Sequence, residues 1–223
     1  MTSADEQTRA AHRKAFFNRC APQWMYMCYR GTDGAIAPAQ DAAIRSLLAC
    51  IPLAKSDVVL DVGCGSGVLV PYLLERLGTA GGVVELDCAE AMIAENRRLH
   101  DDTRLRFVAA DLMAAPLPMQ PFDVVLCFSC FPHFDDKPAA LAVLHSLLRP
   151  GGHLAIAHTL SCAELNDHHW QKDAAVRHDH MLPPAELGSL LCDAGFTVHT
   201  AEDRPGWYLA LAERSASATS PLR

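Results

Sequence analysis

The stretch VVLDVGCGSGVLV at residues 58–70 constrains the fold more than any other feature of this chain. It begins with a short β-branched run that ends at glycine, which is typical of a buried parallel strand. Gly63, Gly65 and Gly67 follow at alternate positions, and glycine allows positive φ and a close approach of a ligand to the backbone. The apolar residues behind them predict a helix over residues 67–77, whose N-terminus offers unpaired N–H groups. The pattern therefore predicts a strand–loop–helix unit that binds a ligand.

Strand-like and helix-like segments alternate along most of the chain. The expected strands cover residues 57–62, 82–86, 105–109, 123–128, 153–158, 196–202 and 207–213, and the expected helices cover residues 67–77, 89–99, 137–148 and 184–194. Alternation at this spacing is typical of a parallel sheet with helices on both faces. We therefore expect an α/β doubly wound domain with a seven-stranded, mostly parallel sheet and an antiparallel final strand.

Three segments lie outside this alternating pattern. We expect residues 1–40 to form an N-terminal helical lid and residues 41–213 to form the main domain. Residues 159–183 are then an insert near the pocket, because extra segments on such sheets often cover the crevice at the carboxyl ends of the strands. The small polar residues at 214–223 predict a flexible tail.

The charge balance excludes several classes of partner. Lys and Arg total 19 against 26 Asp and Glu, which gives a net charge of −7. An acidic protein is a poor electrostatic partner for nucleic acid or for an anionic membrane. No apolar run approaches the ~20 residues of a membrane-spanning helix, and the polar start lacks the apolar stretch of a signal peptide. We therefore expect a cytoplasmic protein, with its nine cysteines reduced.

A second acidic signal follows the glycine loop. Asp87 ends the second expected strand, 20 residues after Gly67, where a carboxylate can accept both ribose hydroxyls of a nucleoside. Glycines at positions 63, 65 and 67 do not fit Gly-x-Gly-x-x-Gly, and Asp61 precedes the first of them. This acidic residue, the G-x-G-x-G loop and the second acidic residue resemble the motif of class I S-adenosylmethionine-dependent methyltransferases, which have a Rossmann-like fold.

Further motifs of that family follow in order over about residues 40–213. Residues 109–112 resemble the adenine contact, with Asp111 near the exocyclic amine; residues 121–125 resemble the fourth strand, and residues 147–154 the element before the fifth. Residues 127–134 would line the methionine part of the cofactor. The resemblance implies that the cofactor is held by Asp61, Gly63, Cys64, Gly65, Gly67, Asp87, Cys88, Met92, Ala110, Asp111, Leu112, Cys127 and Phe128.

The resemblance also implies a reaction. S-adenosylmethionine would give its methyl group to a small-molecule acceptor by in-line displacement, leaving S-adenosylhomocysteine. Residues 127–132 read CFSCFP, not the Asn/Asp-Pro-Pro-aromatic motif of enzymes that methylate amino groups of nucleic acids. Two other classes stay open: a cofactor-binding sensor or subunit without methyl transfer, and a nicotinamide-dependent oxidoreductase. Neither the acceptor atom nor the oligomeric state follows from the sequence.

The N-terminal stretch supplies candidate contacts to the acceptor. Residues 16–27 are dense in aromatic and flexible side chains, and they are similar to the family's N-terminal helix, which closes over the cofactor. We expect Trp24, Tyr26 and Tyr29 to contact the substrate. The alternative is a helix that only packs against the edge of the sheet.

Histidines supply the candidate catalytic groups. His133 follows the fourth expected strand, His158 ends the fifth, and His169 lies in the insert; each is a candidate base or substrate contact, since histidine titrates near pH 7. The alternatives are packed histidines and a solvated surface. A metal site at His158, His169 and His178 is a further alternative, but no recognised ligand spacing supports it and we expect no metal.

The pair Cys127-x-x-Cys130 allows three interpretations. It matches the spacing of a redox or metal pair, although no second pair is present to complete a zinc site. A thiol-rich site that senses or handles a soft metalloid is another alternative. It also fits small side chains that line the cofactor pocket, and we favour this interpretation.

Overall fold

A seven-stranded sheet forms the centre of the molecule in a computed structural model, which describes residues 3–31, 33–114 and 121–215. The strands are β1 (Val58–Val62), β2 (Gly82–Asp87), β3 (Leu105–Ala109), β4 (Phe122–Phe128), β5 (Leu148–His158), β6 (Phe196–Arg204) and β7 (Trp207–Arg214). Their order is β3-β2-β1-β4-β5-β7-β6, and β7 pairs antiparallel with both β5 and β6. The expected α/β architecture is confirmed.

Eight α-helices accompany the sheet in the described residues. They are α1 (Ser3–Cys20), α2 (Trp24–Cys28), α3 (Pro38–Ala49), α4 (Val70–Arg76), α5 (Glu90–Leu99), α6 (Lys137–Leu147), α7 (Cys162–Trp170) and α8 (Pro184–Asp193), with 3₁₀ turns at Ala21–Gln23 and Phe131–His133. None of these helices is both long and apolar enough to cross a membrane.

The core lies on both faces of the sheet. In β4, Val125 and Cys127 belong to one buried cluster, while Val124, Leu126 and Phe128 belong to the other. Successive strand residues point to opposite faces, so a strand that is covered on both faces is apolar at every position. This explains the continuous apolar run of β4 from Val124 to Phe128.

The order of the strands places a crevice at the middle of the sheet. β1 pairs with β2 on one side and with β4 on the other, and all three run parallel. The chain therefore leaves β1 and β4 in opposite directions, and ligands of open α/β sheets bind in the crevice at such a switch point.

Three boundaries differ from the sequence expectation by two residues or more. α4 begins at Val70 rather than at residue 67, because Gly67 has φ +82°, which a right-handed helix does not contain. β5 begins at Leu148 rather than at residue 153: Leu148 pairs with Phe122, and the register then shifts before Val124 pairs with His153. β6 ends at Arg204 rather than at residue 202, because Arg204 pairs with Trp207 across the turn. Of the expected tail, Arg214 belongs to β7 and residues 216–223 lie outside the described residues.

Candidate functional site

A cavity of about 590 Å³ lies at the carboxyl ends of β1, β2 and β4, and α1 covers it. Its volume is within the range of ~300–1,000 Å³ that is typical of small-molecule sites. The lining from α1 consists of Gln7, Ala10, Ala11, Arg13, Lys14 and Phe17, which recur at the spacing of one helix face. The rest comes mainly from the loops that follow the three strands.

Residues 63–66 of the glycine loop line the cavity. Gly63 and Gly65 line it with φ of +65° and +54°, values that side-chain-bearing residues rarely adopt. A Cβ on Gly63 would lie 2.4 Å from the Cβ of Cys130, and one on Gly67 would lie 2.3 Å from Oδ1 of Asn96. Gly67 therefore packs closely against Asn96 of α5. It lies outside the cavity lining, although we expected it to bind the cofactor.

Asp87 stands at the end of β2 and lines the cavity. Its Oδ2 accepts a hydrogen bond from Gly65 N (3.0 Å), and its Oδ1 accepts one from Ala89 N (2.8 Å). Burial raises the pKa of this carboxyl, while these two backbone N–H groups lower it. Each carboxylate oxygen has two lone pairs, so Asp87 can accept further hydrogen bonds from a ligand on its cavity side.

Asp61 in β1 also lines the cavity and is only 1% exposed. Among the described residues its Oδ2 has no hydrogen-bond partner. Burial, together with the nearby Glu85 carboxylate, raises the pKa of Asp61 well above its usual value. An unpartnered buried carboxylate oxygen is costly, and a ligand amino or hydroxyl group in the cavity would satisfy it. The site therefore suits a ligand that carries hydrogen-bond donors.

The other expected cofactor residues divide between the cavity and the core. Cys64, Cys88, Met92, Ala110, Asp111, Leu112 and Phe128 line the cavity. Cys127 is 1% exposed within the core cluster on the other face of β4 and lies outside the lining. The alternation of side chains along β4 separates it from Phe128.

The thiols around the cavity are protonated. Burial is the main cause that raises the pKa of Cys88 to about 12 and that of Cys64 well above its usual value. All nine cysteines are free, and Cys130 donates to Val62 O. These groups are small, uncharged side chains rather than thiolate nucleophiles.

His133 also lines the cavity. Its Nδ1 lies 2.8 Å from Oδ2 of Asp179, in the segment after α7. A carboxylate only accepts, so Nδ1 carries a proton, and the neutral imidazole then has a free lone pair on Nε2. Phe17 of α1 packs edge-on against the imidazole, with 5.1 Å between ring centroids. The arrangement is that of a base oriented by a buried carboxylate.

Arg13 ties α1 to this group. Its guanidinium donates to Asp179 Oδ1 at 3.0 Å and also pairs with the Asp135 carboxylate. Arg13 is 7% exposed and Asp179 is 5% exposed, so this is a buried charge network. Arg9 adds an ion pair to Asp135 at 3.1 Å.

His158 and His169 lie behind His133 and outside the cavity lining, although we expected both to face the pocket. His169 donates from Nδ1 to Asp179 O at 2.7 Å, and its ring centroid is 5.3 Å from that of His133. His158 accepts from Leu160 N at its Nδ1. Burial lowers the pKa of His158 to about 3 and that of His169 to about 4. Both imidazoles are therefore neutral at pH 7, and His169 holds the Asp179 backbone in place.

The expected substrate contacts also divide. Trp24 and Tyr29 line the cavity. Tyr26 is 59% exposed and packs under the Arg30 guanidinium outside the cavity. Within the described residues, His158, His169 and His178 do not form a three-ligand group that could hold a metal.

Arg13, Asp135 and the role of Asp179 were missed from the sequence. The partners are separated by 122 and 166 residues, so no local pattern links them. One signal was available, since Arg9 and Arg13 are four residues apart and share a helix face. Ser129 belongs to the range 127–134 that we expected to line the pocket; it follows β4, lines the cavity and has φ +58°.

Comparisons with known proteins agree with this geometry. Residues 59–152 match a family model described as a methyltransferase domain. The chain is 25% identical to phosphoethanolamine N-methyltransferase 1 of Zea mays over 82% of this chain and 36% of that protein. It is 36% identical to an uncharacterised methyltransferase of Mycobacterium bovis over 48% of this chain and 53% of that protein. The chain thus spans about a third to a half of the length of these curated relatives.

The fold matches solved methyltransferase structures. One is Burkholderia thailandensis 1,6-didemethyltoxoflavin-N1-methyltransferase, which was solved with 1,6-didemethyltoxoflavin and S-adenosylhomocysteine bound. The likeness has a TM-score of 0.67 at 22% identity and covers 97% of this chain and 92% of that one. It shows a common fold that extends over nearly all of this chain.

Proposed function

We propose that this chain, which belongs to the class I S-adenosylmethionine-dependent methyltransferases, transfers a methyl group to a small-molecule acceptor held beneath α1. S-adenosylmethionine supplies an activated methyl group on a sulfonium. The observation that carries the proposal is that Asp87 and His133 line the same cavity beneath α1. Asp87 suits a nucleoside, and His133 suits an acceptor that must lose a proton.

The cofactor part of the cavity is formed by the glycine loop and by carboxylates at the carboxyl ends of β1, β2 and β3. Asp87 has lone pairs left for ribose hydroxyls, because its two backbone partners use one on each oxygen. Asp111, after β3, accepts from Met113 N at 2.9 Å and faces the same cavity. The unpartnered Oδ2 of Asp61 suits the amino group of the methionine part. These residues fit S-adenosylmethionine by the chemistry of their donors and acceptors.

The acceptor end is formed by His133 and Asp179. Asp179 holds the His133 tautomer whose Nε2 accepts a proton. His133 would take the proton from the acceptor hydroxyl or amine as the methyl group transfers. General bases of this kind contribute ~10²–10⁴-fold to a rate.

We propose that α1 acts as the lid. Phe17 and Arg13 contact His133 and Asp179 directly, and Asn18 of the same helix accepts from Ala91 N at the start of α5. A lid that is held both at the His133–Asp179 group and at the start of α5 would exclude water and hold the acceptor near the reacting methyl group.

The covered cavity favours a small acceptor over a polymer. Its volume of about 590 Å³ is to be shared by cofactor and acceptor. The Zea mays and Burkholderia proteins are named for small-molecule substrates, phosphoethanolamine and 1,6-didemethyltoxoflavin. Both names support the same class of acceptor for this chain.

The test is transfer of an isotopically labelled methyl group. The protein is incubated with methyl-labelled S-adenosylmethionine and pooled phenols, amines, thiols and carboxylates, followed by fractionated cell extract. We expect a labelled small molecule whose formation is strongly reduced in His133→Gln and unchanged in His12→Ala, which replaces an exposed histidine of α1.

Three outcomes would contradict the proposal. Cofactor binding without transfer from either source would indicate a sensor. A labelled polymer would contradict the small acceptor. Equal rates for His133→Gln and the parent would remove His133 as the base while leaving the transferase assignment intact.

A further inference from the structure

A second group of metal-ligating side chains lies away from the cavity, on the last three strands of the sheet. It consists of His153 on β5, His199 on β6 and Glu213 on β7. One nitrogen from each imidazole and one oxygen from the carboxylate all lie within 4.8 Å of one another. None of the three residues has a part in the proposed methyl transfer.

The register of the sheet explains why these residues meet. His153 pairs directly with Glu213 across β5 and β7, so the two side chains lie on the same face. On the other side Glu213 pairs with Thr197, and the register of β6 shifts between Val198 and Thr200. His199 is the extra residue of this bulge. Thr197 and His199 are two residues apart, so alternation along β6 places His199 on the same face as Thr197 and Glu213.

The distances are close to those of a metal site. Nε2 of His199 lies 3.1 Å from Oε2 of Glu213, and Nε2 of His153 lies 4.0 Å from the same oxygen. Two ligands bound at ~2.0–2.2 Å to one tetrahedral or octahedral ion are about 3–3.5 Å apart. One pair already has this separation, and a small rotation of His153 would bring in the second.

The surrounding charges permit a cation. Asp57 is a nearby negative charge that acts on His153, and Arg149 is a nearby positive one. Arg149 is already paired with the Asp123 carboxylate, so its charge is largely balanced. His153 is partly buried and His199 is exposed, so an ion can reach the group from solvent.

We propose that His153, His199 and Glu213 bind one divalent transition-metal ion of the zinc class, with water completing its coordination. Two imidazoles and one carboxylate suit borderline ions such as Zn²⁺ and Co²⁺ better than Mg²⁺ or Ca²⁺, which prefer oxygen ligands.

The position of the group gives such an ion a structural role. His153 precedes His158, the carboxyl end of β5, by five residues, which is about 17 Å of extended strand. The ion would therefore lie at the far end of the sheet from the cavity. There it would link the edge strand β6 to β7 and β5. An ion that binds the folded state and not the unfolded chain raises the free energy of unfolding.

The test uses metal-free full-length protein titrated with ZnCl₂, and with CoCl₂ to read the ligand type from the visible spectrum. We expect one ion per chain at this group, a nitrogen and oxygen type of Co²⁺ spectrum, and a rise in melting temperature with Zn²⁺. His199→Ala and Glu213→Gln should each weaken binding at least about tenfold and abolish the rise. His12→Ala should bind like the parent.

A third ligand variant separates loss of a ligand from a general effect on the fold. His153→Gln removes a ligand from the partly buried side of the group, and it should match His199→Ala if its metal-free fold is intact by circular dichroism. Parent-like binding in all three ligand variants, a thiolate-type Co²⁺ spectrum, or no binding by the parent would each overturn the proposal. None of these outcomes depends on methyl transfer.

Discussion

At the scale of single residues, the site depends on carboxylates whose surroundings differ. Asp87 is held by two backbone N–H groups, Asp61 has an unpartnered oxygen, and Asp179 is shared between Arg13 and His133. The same functional group can therefore bind a nucleoside, accept a ligand donor or orient a base, and the surrounding groups decide which role each one has.

Asp87→Ala tests the nucleoside contact. We expect it to weaken S-adenosylhomocysteine binding by roughly 1.5–3 kcal/mol, the size of hydrogen bonds to a charged group. Calorimetric titration of the parent and the variant measures the difference, and a thermal melt checks that the variant is folded. Glu75→Gln, on the exposed side of α4, is the control. Parent-like affinity in folded Asp87→Ala would show that this carboxylate does not hold the nucleoside.

Asp179→Asn tests the orientation of His133. An amide can donate as well as accept, so it no longer selects the tautomer with a free Nε2. We expect kcat to fall by about 10-fold or more, within the ~10²–10⁴-fold contribution of the base, while KM for the cofactor changes little. Asp167→Asn, at an exposed position of α7, should leave both constants unchanged. An equal loss in KM with constant kcat would indicate a binding role instead.

Glu85 gives a stability prediction with a defined sign. Burial, opposed by the hydrogen bond that Asn96 donates at 2.7 Å, raises the pKa of Glu85 from 4.5 to about 7. Between these values the unfolded chain releases the proton while the folded chain keeps it, so stability falls as pH rises. The loss is absent below about pH 4.5 and grows until the pH passes about 7.

The measurement for Glu85 is the free energy of unfolding of the parent and Glu85→Gln in urea between pH 4.5 and 7.5. Glutamine does not titrate and still accepts from Asn96, so the advantage of the variant over the parent should grow through this window. Glu75→Gln, which replaces an exposed carboxyl, should show no such trend. A difference that is constant with pH would contradict the raised pKa.

Several of these residues could be identified from the sequence, and several could not. Local sequence patterns predict where the strands end, and Asp61, Asp87 and Asp111 lie at or just after those ends. Their place in the site could therefore be predicted. Arg13 and Asp179 meet only because α1 and the segment after α7 fold over the same crevice. Their contact depends on packing between segments 166 residues apart, which no local pattern encodes.

At the scale of elements, α1 contacts both the His133–Asp179 group and the start of α5. Arg13 is 7% exposed and makes ion pairs with Asp135 and Asp179. Removal of one partner from a buried pair leaves the opposite charges without compensation, and typically costs ~3–5 kcal/mol. We therefore expect Arg13 to be a main anchor of α1 over the cavity.

Arg13→Met tests this anchor, because methionine keeps most of the apolar stem without the charge. We expect a loss of about 3 kcal/mol in unfolding free energy, faster amide hydrogen exchange in α1, and a lower kcat/KM. Arg45→Met is the matched control, since Arg45 also pairs with two carboxylates but at exposed positions, and it should change little. Equal effects of the two substitutions would contradict a special role for Arg13.

The boundaries of elements show where sequence patterns fail. The pattern placed the start of α4 at Gly67, but the left-handed φ of that residue delays the helix to Val70. The Arg-Pro-Gly-Gly segment at 149–152 has the composition of a turn, yet it lies inside β5 because Leu148 pairs with Phe122 ahead of it. Composition predicts a break in regular structure, whereas pairing with a neighbour decides whether the strand continues.

At the scale of the whole molecule, the sheet separates two kinds of site. The cavity lies at the carboxyl ends of the central strands, and the proposed metal group lies in the middle of β5, where His153 pairs with Val124 near the start of β4. The number of strands and their mostly parallel direction followed from the sequence, because alternating strands and helices allow few arrangements. The bulge at His199 did not, because it depends on how β6 pairs with β7.

The central claim is that the cavity beneath α1 holds S-adenosylmethionine, and a crystal structure with S-adenosylhomocysteine tests it most directly. We expect the nucleoside beside Asp87 and Asp111, the amino-acid end beside Asp61, and α1 closed over the ligand. A ligand bound elsewhere on the chain, or a cavity that stays free of ligand at saturating concentration, would contradict the account.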